Sequence, residues 1–412
     1  RCAAPALSDS GGLFDTEISV SFQSPEPGDT IRYTFGGNEP TRNNSQVYIP
    51  GSQIPITSNT VIRAKTYRYG KLSSDVVTAS FLIGQRNFSL PVISLVLPSS
   101  YLYDTNVGIY IEGTNGITGC GDPFPHNWNR EWDRPANFEL FDRTKKQQLN
   151  QEVDIQTAGC FSRANNKQKS LHIQPKKKFG DNTLSYPIFT SRKNQKYKDI
   201  MIRNSGNDAK YSMMRDGMMQ TLIIGRMDLE YLAYEPSVVF VNGEYFGIFN
   251  MRDRSNADLI YTTHGLDEEE IEMTKTYDIV NHPEYKELIN FITVNDITQP
   301  SVFEQLQEMM DVENYQHYMM THMFSANYDW PHNNIKMWKK KQGGKWRWIV
   351  YDTDFGFNLF IDDLHTFNSL TYALGENKEK ETKEWATALF SRLMQNPTFK
   401  DQFIDRYSVH LS

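Results

Sequence analysis

Apolar positions recur with a helical period just before a polar loop near residue 330. Val312, Tyr315, Tyr318, Met319, His322, Met323 and Ala326 share one face, which predicts a helix there. Arg215–Gly225 and Ser301–Met310 are predicted helices as well. A period of two governs other stretches. Ile335–Lys341 and Lys345–Tyr351 flank Gln342-Gly343-Gly344 and predict a hairpin. Ser237–Val241 and Tyr245–Phe249 flank Asn242-Gly243, a strong short hairpin signal. Pro91–Leu97, apolar except for Ser94, reads as a buried strand.

The first 84 residues have no helical period. Short alternating runs at Glu17–Gln23, Thr30–Phe35, Val61–Tyr69 and Ser73–Leu82 lie between turn signals. They predict a small all-β sandwich over residues 5–84. Mixed helices and strands from about Ser89 onward predict a second, α+β domain over residues 85–412. Neither a repeat of 20–50 residues nor a low-complexity stretch is visible.

Composition narrows the classes. The chain has 412 residues, 23% of them charged, with a net charge of −7. That balance gives no electrostatic case for nucleic-acid binding. Lys176-Lys177-Lys178 and Lys339-Lys340-Lys341 read as solvated strand ends or phosphate neighbours, and Asp267-Glu268-Glu269-Glu270 as a loop or helix start. No apolar run reaches the ~18 residues of a membrane span. The chain begins at Arg1, which predicts a processed product. Cys2 is not the first residue, as a lipidated cysteine would be. Cys120 and Cys160 fit either one bridge in an oxidising compartment or two buried thiols.

The chemistry-bearing pattern is Asp329-Trp330-Pro331-His332-Asn333-Asn334, followed by the hairpin and then Asp352-Thr353-Asp354-Phe355-Gly356. A carboxylate, an Asn five residues on, a hairpin and another carboxylate are the parts of a phosphotransfer site. One Asp can take the proton of an attacking hydroxyl, while an Asn and an Asp offer oxygen ligands to a hard cation. Gly159-Cys160-Phe161-Ser162-Arg163 predicts a glycine turn with exposed backbone N–H groups, and Lys169 on the next strand could reach phosphates. In isolation each is also an ordinary turn, strand lysine or surface loop. No H-E-x-x-H, G-x-S-x-G or Walker loop is present, and His317 and His322 do not share a helix face.

Two resemblances follow from these residues. Ile31-Arg32-Tyr33-Thr34-Phe35-Gly36-Gly37-Asn38-Glu39-Pro40-Thr41 with Val61–Thr66 resembles the sandwich module at the C-terminal end of chitobiases. Gly36 stands where that module carries an Asp. The resemblance implies an exported, bacterial cell-surface or periplasmic setting, with a spacer role ahead of glycan contact. Residues 89–412 resemble the spore-coat CotH kinase family, an atypical protein-kinase-like group. The resemblance rests on ordered landmarks: Leu90–Ser94, Gly159–Ser170, Arg203-Asn204 with Met214-Arg215-Asp216, Asn242–Gly247, and Asp329–Asp354. It implies an enzyme that transfers a phosphoryl group from ATP to Ser/Thr hydroxyls of an envelope or secreted protein, with Mg²⁺ or Mn²⁺. Asp329 is the implied catalytic carboxylate. Asn334 and Asp352 are implied metal ligands, joined by Asp354 if two residues apart share a strand face. Lys169 is the implied phosphate-binding lysine, beside Gly159, Ser162 and Arg163. The lysine's acidic partner and the purine pocket stay unassigned. A non-catalytic surface binding protein and a nucleotidyl transferase remain as alternatives.

Overall fold

The computed structural model describes residues 1–24, 26–85, 87–274, 279–377, 380 and 382–411. It is a mixed α/β molecule with two compact units. The first comprises residues 1–188, 195–204 and 235–251; the second comprises 189–194, 205–234 and 252–412.

The first unit opens with the predicted β-sandwich. A five-stranded sheet runs in the order Gly12–Phe14, Val77–Ile83, Thr60–Tyr67, Thr30–Phe35, Gln46–Val47. Two small two-stranded sheets accompany it, Ala6–Leu7 with Phe22–Gln23 and Ile18–Val20 with Ile54–Ile56. Alternation along the strands sends Ile31, Tyr33, Ile62, Ala64, Ala79 and Phe81 into one buried cluster with Val20 and Phe22.

The same unit holds a closed seven-stranded barrel. Its order is Val92–Val96, Arg134–Phe141, Gln147–Ala158, Ser170–Gln174, Ile200–Arg203, Glu244–Arg252, Tyr234–Val241. Val92–Val96 pairs antiparallel with Arg134–Phe141 and parallel with Tyr234–Val241. That closure explains why Val92–Val96 is buried at every position, since both faces are covered. Sandwich and barrel also share apolar packing. Leu13 and Leu82 sit in one cluster with Val92, Phe141, Val238 and Phe240.

Polar groups lie along the same seam. Glu139 of the barrel is wholly buried; its Oε1 accepts the N–H of sandwich Ser80 at 3.2 Å and Gln147 Nε2 at 3.0 Å, and its Oε2 accepts the Ser80 hydroxyl. Burial pushes this carboxyl up to about 7, against the pull of those hydrogen bonds. Arg63 pairs with Glu152 at 3.0 Å and donates to the Gly37 carbonyl at 3.0 Å.

The second unit is mainly helical around Val312–Phe324, which is buried along nearly its whole length. Asp311 caps it, accepting the Asn314 N–H at 3.1 Å. Helices Arg215–Ile223, Pro283–Val294, Pro300–Met309, Glu384–Leu393 and Pro397–Leu411 pack on the same core. The predicted hairpin forms between Met337–Lys340 and Arg347–Trp348, shorter than expected, and gains a third strand, Ile271–Met273. Ala326 falls beyond the helix, with φ of +47°. Among the described residues no helix is long and apolar enough to cross a membrane.

Candidate functional site

The candidate residues fall into two groups, one on each unit. On the second unit, the polar loop is anchored to the helix before it. His322 is buried, and its ring stacks on Trp330 with centroids 5.0 Å apart. Trp330 Nε1 donates to the Tyr318 hydroxyl at 3.0 Å. Asn327 reaches His322 Nδ1 with its amide nitrogen at 3.1 Å, and its Oδ1 accepts the Asp329 N–H at 3.2 Å. The backbone of Asp329 is thereby tied to side chains of the helix core.

The Asp329 carboxylate is held on one side only. Its Oδ2 accepts from Asn333 Nδ2 at 2.8 Å and from Asn334 Nδ2 at 3.0 Å. Its Oδ1 accepts no hydrogen bond among the described residues. Burial raises this carboxyl above the usual carboxylate range. The charge of Asp352 adds to the rise, while the two amides and Lys380 oppose it. Lys380 lies 3.3 Å from the centroid of the Tyr328 ring. Burial pushes its ammonium down to about 8, with the Asp329 charge resisting.

Asp352 and Asp354 do not lie on a strand, so the shared strand face expected for them is absent. Asp352 instead adopts φ of +56°, as Asn334 does. Such left-handed geometry is several-fold more tolerable for Asn and Asp than for other side chains. Between the two carboxylates, Thr353 turns inward and donates its N–H and hydroxyl to Asp216 Oδ1 at 3.0 and 2.9 Å. Asp216 forms a buried ion pair with Arg252. Asp354 is buried and accepts the Asn207 N–H at 2.9 Å on Oδ2. Gly356 abuts the helix end: a Cβ there would lie 2.7 Å from the Ser325 carbonyl oxygen.

Asn334, Asp352 and Asp354 together offer only oxygen donors of net negative charge, which suits a hard divalent cation. The nearby Asp352 charge adds to the rise of the Asp329 carboxyl, and a cation there would relieve it. Among the described residues no cluster of three or more His, Cys, Asp or Glu side chains is arranged to hold a metal, so the Asn amide oxygen would be needed.

On the first unit, Cys120 and Cys160 form a disulfide, resolving the alternatives left open by the sequence. The bridge secures the start of the short helix Phe161–Asn165, where a glycine turn was expected. Gly159 precedes it with φ of +101°, and a Cβ there would meet Ser162 Oγ at 2.9 Å. Lys169 sits one residue before the strand Ser170–Gln174. Its Nζ donates to the carbonyls of Arg163 at 2.7 Å and Asn166 at 3.2 Å. It also lies 3.8 Å from the centroid of the Trp128 ring. Burial pushes this ammonium down to about 8, against the pull of Asp122 and Glu112. Asp122 fastens the aromatic wall, accepting from Trp128 Nε1 at 2.9 Å and Asn129 Nδ2 at 2.8 Å.

Several of these residues escaped sequence reasoning. Trp128 and Asp122 carry no motif and meet Lys169 only through long-range packing. Asn333 and Asn334 both bond to Asp329, whereas the spacing singled out Asn334. Asp216 was visible as a helix-opening residue, but nothing in the sequence linked it to Arg252 or Thr353.

No curated protein matches the chain. Residues 9–78 match the chitobiase/beta-hexosaminidase C-terminal domain. Residues 155–412, more than half of the chain, match the CotH kinase protein family. The chain therefore belongs to the CotH kinase protein family and carries a chitobiase C-terminal-type module ahead of its CotH region.

Proposed function

We propose that this protein is an exported atypical kinase, with a protein-kinase-like fold, that transfers the γ-phosphoryl group of ATP to Ser/Thr hydroxyls of an envelope or secreted protein. The observation that carries the reading is Asp329. One oxygen is pinned by two amides, the other accepts no hydrogen bond among the described residues, and burial raises the carboxyl. A general base needs that combination of fixed orientation, open lone pair and strengthened basicity. Asp329 would accept the proton of the attacking hydroxyl, with Asn333 and Asn334 holding the carboxylate in register. Lys169 and the backbone of residues 159–163 would bind phosphate oxygens, Lys169 exchanging carbonyl contacts for phosphate. Asn334, Asp352 and Asp354 would hold Mg²⁺ or Mn²⁺, which when bound neutralises charge on the phosphates. Export accords with the Cys120–Cys160 bridge. The N-terminal module would serve as a spacer or make a glycan contact.

The test is incubation of the full chain with ATP, a divalent cation and candidate envelope proteins, followed by intact-mass analysis. An acceptor gaining the mass of a phosphate, dependent on the cation, supports the reading. An acceptor gaining the mass of a nucleotide would replace it with nucleotidyl transfer.

A further inference from the structure

The geometry points to a saccharide-binding cleft on the seam between sandwich and barrel, suited to an uncharged oligosaccharide. The cleft encloses about 690 Å³, within the ~300–1,000 Å³ of small-molecule sites. One wall is the sandwich strand Val77–Ile83 with Lys65 and Glu39 beside it; the other is formed by Asn137, Asn150, Gln151 and Glu152 of the barrel.

Three features select the ligand class. The first is the amides. Asn137 is only 4% exposed, donates to Asn150 Oδ1 at 2.9 Å, and has an Oδ1 that accepts nothing among the described residues. Asn150 is anchored in turn to the Thr78 carbonyl at 2.9 Å. The Gln151 side chain makes no hydrogen bond among the described residues. Amides offer a donor and an acceptor from one plane, as adjacent sugar hydroxyls require. The second feature is charge pairing. Lys65 pairs with Glu39 at 2.5 Å, Glu152 with Arg63 at 3.0 Å, and Lys178 with buried Asp154 at 2.5 Å. Lys176, next to the cleft, is likewise paired with Asp133 at 2.7 Å, so the lysines that face the lining have carboxylate partners, which weakens the attraction for an anion. The third is the half-buried Phe179 ring on the lining, a platform for the C–H face of a sugar.

This inference deepens the glycan-contact reading of the N-terminal module and is independent of phosphotransfer. The experiment is calorimetry on the full chain with neutral β-1,4-linked glucose and N-acetylglucosamine tetrasaccharides, a neutral mannan fragment, an anionic galacturonate fragment and ATP. At least one neutral probe should bind. Gln151→Ala combined with Phe179→Ala should weaken it by about tenfold or more while leaving ATP affinity and thermal midpoint unchanged. Gln151→Glu, which keeps the side-chain size, should weaken it too. Absence of binding by every neutral probe up to millimolar concentration overturns both this site and glycan contact. Neutral binding that survives both variants overturns this site alone. Preference for the galacturonate overturns the charge argument on which the ligand class rests.

Discussion

Asp216 and Arg252 form a buried ion pair, and the same Asp216 carboxylate takes both the N–H and the hydroxyl of Thr353. Thr353 lies between the two candidate metal ligands, so the pair secures the backbone that carries Asp352 and Asp354.

Removing one partner of this pair leaves an uncompensated buried charge. Arg252→Leu should therefore cost about 3–5 kcal/mol of folding free energy. Denaturant unfolding checks this, and a loss below ~1 kcal/mol would mean that Asp216 finds compensation elsewhere.

Asp352→Ala should remove most of the cation-dependent part of nucleotide affinity, since it deletes a charged oxygen ligand. Calorimetry with and without chelator measures it. Equal ATP binding in the presence of a chelator would argue against a metal at Asn334 and Asp352.

The seam predicts a pH response. Glu139 titrates at about 7 in the folded chain and near 4.3 when unfolded. The folded state then binds the extra proton between those values. Its contribution is fully present below about 4.3 and is lost as pH rises through 7, by roughly 4 kcal/mol. Glu139→Gln mimics the protonated form and should flatten that slope in thermal midpoint between pH 5 and 8. An unchanged slope would contradict the assignment.

Residues 1–84 have their own core, but Leu13 and Leu82 also cover Val92, Phe141, Val238 and Phe240. A chain of residues 85–412 should accordingly unfold at lower temperature than the full chain. Its retention of ATP binding at low temperature would separate the shared packing from the phosphotransfer chemistry. An unchanged midpoint would show that the shared cluster contributes little.

Local signals carried much of this far. Asn242-Gly243 does join Tyr234–Val241 to Glu244–Arg252, and the apolar period over Val312–Phe324 does produce a helix leading into the Asp329 loop. The β-branched runs of the first 84 residues do form a sandwich. Long-range geometry was not legible. The barrel closes through a parallel pairing of Val92 with Val238, which no local pattern encodes. The packing of Trp128 on Lys169, 41 residues apart in the chain, is likewise a long-range contact. At Asp352 the strand expectation failed because Thr353 is drawn inward to Asp216, turning the backbone out of extended geometry.

The most direct test of the central claim is the variant Asp329→Asn. The amide is the same size and can keep the loop, but it cannot take a proton. Thermal midpoint and ATP affinity should stay close to those of the parent. Phosphotransfer should fall by roughly 10²–10⁴-fold, the usual worth of general-base catalysis. In the parent, the rate should fall as pH drops through the raised titration of Asp329, above the ordinary carboxylate range. A well-folded Asp329→Asn protein with full transfer activity would contradict the account.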